Sequence, residues 1–194
     1  MRHLAANNLK ELIALAKSKP GQLTYASSAA GSTTHLAAEL FDMMTGVKML
    51  HVPYKGAGPA ITDLLGGHVH LFFASPISVV PLIKSGQLKA LAITGDTRLP
   101  ALPQVPSFTE AGLPGLDVKT WLGVLAPAGT PEAIIARLSS EFAKILVMPD
   151  VKETLTSQGL DPFISTPDQF AALMKADMAR FGKVIKAANI RLEE

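Results

Sequence analysis

The residues with the clearest chemical potential in this sequence are small and hydroxylated. Between Tyr25 and Leu40 the chain reads YASSAAGSTTHLAAEL. It begins with strand-forming residues, passes through Ser27, Ser28, Ala29, Ala30, Gly31, Ser32 and Thr33, and then takes up helical spacing. A strand that feeds a Ser/Gly turn into a helix presents free backbone N–H groups at the positive end of the helix dipole. Such a turn can hold a carboxylate or phosphate without any full positive charge. The same pattern also arises where Ser32 or Thr33 simply caps the helix in a tight loop. The Lys and spacing of a P-loop are missing, as is the dinucleotide glycine fingerprint.

Two further strand-to-helix loops carry candidate ligand contacts. In PYKGAGPA, Pro53 to Ala60, Tyr54 and Lys55 can face a ligand, while Gly56 and Gly58 let backbone approach one. In FASPIS, Ala74 and Ser75 end a strand before Pro76. If the sheet is parallel, all three loops lie at the carboxyl ends of strands, where open α/β sheets bind ligands. Their convergence says more than any one of them. The plainer reading of the second loop is a glycine-containing turn with a solvated Lys.

Other chemistries fit less well. Ser28, His35 and Asp42 supply the residue types of a hydrolytic triad, but His35 and Asp42 sit about two turns apart on one helix, and no G-x-S-x-G elbow is present. His51, His68 and His70 have no acidic companion at metal-ligand spacing. Asp63 reads as a surface residue of a helix, and Trp121 as core or hinge packing. The residues imply no catalytic group, metal or cofactor.

The elements that must position these loops follow from periodicity. Leu9, Leu12, Ile13 and Ala16 predict a helix stopped by SKPG, and QLTYAS predicts a strand. Leu36, Leu40 and Met44 line the next helix, which Gly46 ends. VKMLHVPY and HVHLFFAS predict strands on either side of a short helix, GPAITDLLGG. ISVVPLIKSG predicts a helix with Pro81 inside it, and LKALAIT a further strand. This alternation implies βαβ units and a mostly parallel sheet covered on both faces. Residues 95–115 carry four of the 14 prolines and contain SFTE, a capping pattern for a very short helix. LDVKTWLGVLAP then predicts an extended strand. Beyond it, Thr130 with Pro131 opens a helix, PDVKETLTSQG gives another, DPFIS a brief strand, and Thr166, Pro167 and Gln169 open the last helix. The division falls near residue 122: an α/β lobe over 7–122 and a mainly helical part over 123–194. One short strand is little for those amphipathic helices to pack against.

Composition limits the partners. The chain has 194 residues, 48% apolar and 18% charged, enough for a sizeable core. Net charge is +2 and no basic run occurs, which argues against nucleic acid or a membrane surface. With no Cys there is no disulfide, thiol catalysis or Cys-bound zinc. No apolar run approaches the roughly 18 residues needed to cross a bilayer. Asn7, Asn8, Lys10 and Glu11 interrupt the apolar core that a signal peptide would need, so no export signal is expected in the sequence as written.

In series, LTYASSAAGSTTHLAAELF, HVPYKGAGPAITDLLGGHVHLFF, LKALAIT, RLPALPQVPSFTEAGLPG and WLGVLAPAGTP resemble the solute-binding receptors of tripartite tricarboxylate transporters, the Bug family. The resemblance runs from about Leu9 to Ile190. It implies a two-lobed, Venus-flytrap fold of the periplasmic binding protein type II class. The implied role is non-catalytic capture of small di- or tricarboxylates or acidic amino acids in the periplasm, for delivery to a membrane permease. The implied contacts are Ser27, Ser28, Gly31, Ser32, Thr33, Tyr54, Lys55, Gly56, Ala74 and Ser75. Many relatives carry Asp-Asn where this chain has Ala74-Ser75. The family leans on amides and hydroxyls more than on Arg clamps, and none of the five Arg here lies in the three loops. Relatives begin with a signal peptide and a longer first lobe. The expectation is therefore a near-complete second lobe, an incomplete first lobe lacking most of its sheet, weak or absent carboxylate binding, and homo-oligomerisation through exposed first-lobe helices or their repacking. The rival reading is the sensory effector domain of a transcription regulator, which uses a similar fold.

Overall fold

A computed structural model describes residues 4–118, 120–188 and 190. Its elements run in chain order α1 (Leu9–Ser18), β1 (Thr24–Ser27), α2 (Thr33–Thr45), β2 (Leu50–Pro53), α3 (Ala57–Gly66), β3 (Leu71–Phe72), α4 (Pro76–Lys84), α5 (Glu132–Leu146), α6 (Pro149–Ser157) and α7 (Pro167–Ala187). The sheet is parallel with order β2-β1-β3. Thr24 to Ser27 pair with Leu50 to Pro53, and Tyr25 and Ala26 pair with Leu71 and Phe72. The carboxyl ends of all three strands therefore share one edge, with β1 in the middle, as the alternating pattern requires.

Helix ends follow the local chemistry. Asn8 caps α1 by accepting the Glu11 N–H at 2.9 Å, and Glu11 answers by accepting from the Asn8 side chain and the Asn7 N–H. Gly46 closes α2 in the left-handed region at φ +67°, where any side chain would be strained. Thr166 and Gln169 form the reciprocal capping box of α7. For α5 the structure corrects the expectation by one residue. Thr130 Oγ1 donates back to the Pro127 carbonyl at 2.8 Å, Pro131 keeps an extended ψ of 136°, and the helix starts at Glu132. SFTE forms its reciprocal bonds, with Ser107 Oγ accepting from the Glu110 N–H and Glu110 accepting from the Ser107 N–H, but around a turn rather than a helix. Arg98 clasps the same carboxylate at 2.8 and 3.1 Å.

The core is built on both faces of β1. The largest cluster joins Leu9, Leu12 and Ala16 of α1 to Ala37 and Phe41 of α2, Leu116 and Val118. Phe41 is fully buried, tilted on Phe73 and edge-on to Phe108. Burial of such a ring contributes about 1.5–3 kcal/mol. Smaller clusters join Ala26, Ala60 and Val69, and Val80, Leu102 and Val105.

Three predicted strands are absent among the described residues. LKALAIT (88–94) forms only a bridge, Ile93 to Ser107. LDVKTWLGVLAP (116–127), of which Lys119 lies outside the described residues, and DPFIS (161–165) form none. HVHLFFAS shortens to Leu71–Phe72. A strand exists only through its ladder. Residues 88–94 line the same open cavity as Leu71 to Phe73 instead of pairing with them. Gly95 N–H donates to the Leu116 carbonyl and Thr94 Oγ1 to that of Val118, so pairing survives only at one end.

The helical part is attached but poorly covered. α7 docks through Phe181 and Val184, and Arg180 donates to the Asp117 carbonyl at 2.9 Å. Trp121 Nε1–H donates to Asp177 at 2.8 Å and its ring meets Phe170 edge-on. By contrast α5 and α6 bury no residue, and Leu122, Leu125, Ile134, Phe142 and Phe163 are exposed. No helix among the described residues is long and apolar enough to cross a membrane.

Candidate functional site

The turn after β1 is organised by Thr34, the second residue of α2. Its Oγ1 accepts the Ser28 N–H at 2.9 Å and lies 2.8 Å from Ser32 Oγ and 3.2 Å from Ser28 Oγ. Ser32 Oγ donates to the Ala29 carbonyl at 2.7 Å and caps α2 by accepting the His35 N–H at 3.4 Å. The capping expectation is thus met by Ser32 rather than Thr33, which leaves the Thr33 side chain without a hydrogen bond among the described residues. The amides of Thr33 and Thr34, in the first turn of α2, have no helical carbonyl to donate to. They are the N–H groups a carboxylate can use.

Below the turn lies a buried polar cluster. Ser27 is fully buried; its hydroxyl donates to the Ala29 carbonyl at 3.0 Å and sits 2.6 Å from His51 Nε2. The His51 ring stacks on that of His35 with centroids 3.8 Å apart, and on Tyr25 at 5.0 Å. Gly31 N–H donates to His35 Nδ1 at 3.0 Å, and His35 Nε2 faces Glu39 at 3.5 Å. Tyr25 donates to the same Glu39 carboxylate at 2.5 Å. Burial, reinforced by that bond, holds the Tyr25 hydroxyl protonated well above its usual range. The bond from His35 holds Glu39 below the usual carboxylate range. Burial and the neighbouring His35 lower His51 to about 4. Asp42, which accepts the Met49 N–H at 2.9 Å, is raised to about 6, chiefly by burial.

The second loop is pinned to the first. Tyr54 N–H donates to the Ser27 carbonyl at 3.0 Å, and Gly56 N–H to that of Ser28 at 2.8 Å. Gly56 takes φ +113°, open to glycine and closed to other residues. The Tyr54 hydroxyl donates to Asp63 at 2.6 Å, and burial with that bond raises it to about 12. Asp63 thus anchors this tyrosine instead of serving as plain surface. Lys55 is exposed at the rim.

The third loop faces the first across open space. Thr33, Thr34, Ala74 and Ser75 line one cavity of ≈ 1630 Å³, which continues past the helical part to residues such as Phe163. That exceeds the few hundred Å³ a small acid needs. Ser75 makes no side-chain cap bond to α4, so its hydroxyl, like that of Thr33, is available to a ligand.

The structure thus brings Ser28, Tyr54 and Gly56 together on one side of the turn, and Thr33, Ala74 and Ser75 on the other. Ser27, Gly31 and Ser32 have their polar groups turned into the fold. Thr34, His35 and His51 were not among the predicted contacts. The signals for them were a second threonine two residues beyond the cap and the register that sets Tyr25 against His51. His51 goes to Ser27 and His70 to Thr24, at opposite ends of β1. Among the described residues no group of three acidic or His residues is placed to hold a metal.

Sequence and structure comparisons agree on one relationship. Residues 2–190 match the model of the tripartite tricarboxylate transporter family receptor. A protein from the tcbD–tcbE intergenic region of Pseudomonas sp. strain P51 is 39% identical over 92% of this chain and 53% of its own length. BugT of Bordetella pertussis is 37% identical over 98% of this chain and 58% of its own length. The chain thus spans about half the length of these relatives, although it covers 98% of one from the clcB–clcD intergenic region of Pseudomonas knackmussii, at 33% identity. Among solved structures, R. palustris Rpa4515 with adipate matches at a TM-score of 0.93 and 37% identity, over 99% of this chain and 64% of its own. MatC from Rhodopseudomonas palustris with bound malate matches at 0.82 and 32%, over 93% of this chain and 63% of its own. The periplasmic binding protein BugD matches at 0.89 and 30%, over 98% of this chain and 64% of its own. The α/β fold is accordingly that of periplasmic binding proteins, and the proteins it resembles are solute receptors rather than enzymes. A chain matched from residue 2 to residue 190 by one receptor model, with a parallel sheet that superposes on receptors of that kind, belongs to the tripartite tricarboxylate transporter receptor family.

Proposed function

We propose that this chain forms one wall of a carboxylate-capture site in a solute receptor that works in the periplasm with a membrane permease. The single observation that carries the reading is that α2's first-turn residues Thr33 and Thr34 and the uncapped Ser75 line one cavity at the carboxyl edge of a parallel sheet. Amides and hydroxyls recognise a carboxylate by donating to it, and the helix dipole adds to the attraction. Relatives bound to adipate and malate support a dicarboxylate as the ligand class.

In this reading Thr33, Thr34, Ala74 and Ser75 form the contact surface, and Ser28, Tyr54, Lys55 and Gly56 form its rim. Ser27, Gly31 and Ser32 hold the turn from behind. Residues 7–122 act as the ligand-binding lobe, and 123–194 as a mainly helical part of the opposing lobe. The wide cavity beside Thr33 and Ser75 leaves a small acid solvated on its far side, so binding to this chain should be weak. Calorimetric titration with malate and adipate should give a dissociation constant on the order of 1 mM or weaker, weakened further by Thr33→Val with Ser75→Ala. A micromolar constant would overturn the open-site reading, and binding unaffected by the double substitution would overturn the site.

A further inference from the structure

The stacked pair of His35 and His51, the first buried and the second half-buried, has no part in the contact surface proposed above, yet it touches the turn at two points. Its hydrogen bonds define how it is held. Gly31 N–H donates to His35 Nδ1 at 3.0 Å, so Nδ1 carries the lone pair and Nε2 the proton, facing Glu39. The Ser27 hydroxyl meets His51 Nε2 at 2.6 Å. The two rings stack with centroids 3.8 Å apart. Tyr25, Glu39 and Asp42 are the titratable groups around them, from β1 and α2. Tyr25 holds Glu39, which in turn faces the Nε2–H of His35.

We propose that His35 is a positioning residue for the ligand turn, held in place by the stacked ring of His51. By capturing the Gly31 N–H it removes that amide from the ligand's reach, while the amides of Thr33 and Thr34 stay unpaired. The Nδ1 contact spans the base of the turn from Gly31 to α2, and the Ser27–His51 contact ties the start of the turn to β2. Specificity for a carboxylate's two oxygens is then set by two adjacent helix amides instead of a broader ring of N–H groups. The inference rests on the site reading above, but its first test needs no ligand.

In uniformly 15N-labelled protein, a nitrogen–nitrogen coupling between the Gly31 amide and His35 Nδ1 is expected, with the Gly31 proton exchanging at least about tenfold slower than in an unstructured peptide. His35→Leu should speed Gly31 exchange about tenfold while Ala26 stays protected. His35→Asn, whose side-chain oxygen can stand in for Nδ1, should restore it to within about threefold. His51→Ala should speed Gly31 exchange, and His51→Phe, which returns a ring to the stack, should slow it again. No coupling in the wild type, or Gly31 exchange unchanged in a folded His35→Leu, overturns the proposal. The wild-type coupling decides it even if a variant fails to fold. In a malate titration followed by amide shifts, Thr33 and Thr34 should move and Gly31 should not, and a dominant Gly31 shift would also overturn it. If no amide of the turn responds to malate, the ligand site is refuted while the exchange data still decide the role of His35.

Discussion

Removing the Thr34 hydroxyl tests how the ligand turn is held. Thr34→Val keeps the shape of the side chain and deletes the oxygen that accepts the Ser28 N–H at 2.9 Å and bonds Ser32 at 2.8 Å. Thr34 is buried and Ser28 half-buried, so water is a poor substitute. An orphaned N–H costs about 1–3 kcal/mol, and partial exposure of Ser28 puts this one at the lower end. With the lost Ser32 bond the total is about 2 kcal/mol. For a chain of this length that is a fall in Tm of about 4–8 °C. Thermal melts followed by circular dichroism would measure it, with Thr34→Ser, which keeps the oxygen, melting close to the wild type. A Thr34→Val protein melting within about 1 °C of the wild type would refute the reasoning, because the hub would then bear no load.

Acid titration should separate two opposed groups. His51, at about 4 in the fold and about 6.5 unfolded, takes its proton first in the unfolded chain, so stability falls as pH drops through that window. Asp42, raised to about 6, takes its proton first in the folded chain, so its contribution is lost as pH rises from about 4 to about 6. Urea melts between pH 4 and 7 should therefore show steeper acid loss in Asp42→Asn and shallower loss in His51→Phe; the reverse order would contradict both assignments. Gly46→Ala meets no atom within 4 Å, so its cost should be backbone strain alone, about 1–2 kcal/mol, read from chemical denaturation. The exposed apolar faces of α5 should drive self-association. Leu138→Glu with Phe142→Glu should reduce the sedimentation coefficient at high concentration, and an unchanged, monomeric profile for both proteins would contradict this.

The helices and the loop positions were legible in the sequence because their causes are local. Gly46, Thr166 with Gln169, and the 3.6-residue spacing of Leu9, Leu12 and Ala16 act within a turn or two of chain. The strands 88–94, 116–127 and 161–165 were misread because a strand needs partners that its own residues cannot supply. Their apolar content is right for a covered sheet, but Leu122 and Phe163 face open space here. Within the site, the pattern located the turn and not the direction of its polar groups. Ser27 and Gly31 read like donors to a ligand until the parallel register brings His51 beside Tyr25 and the first turn of α2 brings His35 under Gly31. Which hydroxyl caps and which is free was settled by Thr34, whose bonds to Ser28 and Ser32 leave Thr33 unused.

The central claim is that the first-turn amides of α2 and the Ser75 hydroxyl receive a carboxylate. A crystal structure of the chain grown with excess adipate tests it most directly. The account predicts a carboxylate within hydrogen-bond distance of the Thr33 and Thr34 N–H groups, close to Ser75 Oγ, with Gly31 N–H still on His35. Adipate bound elsewhere, or a carboxylate seated on the Gly31 amide with the His35 contact broken, would contradict it.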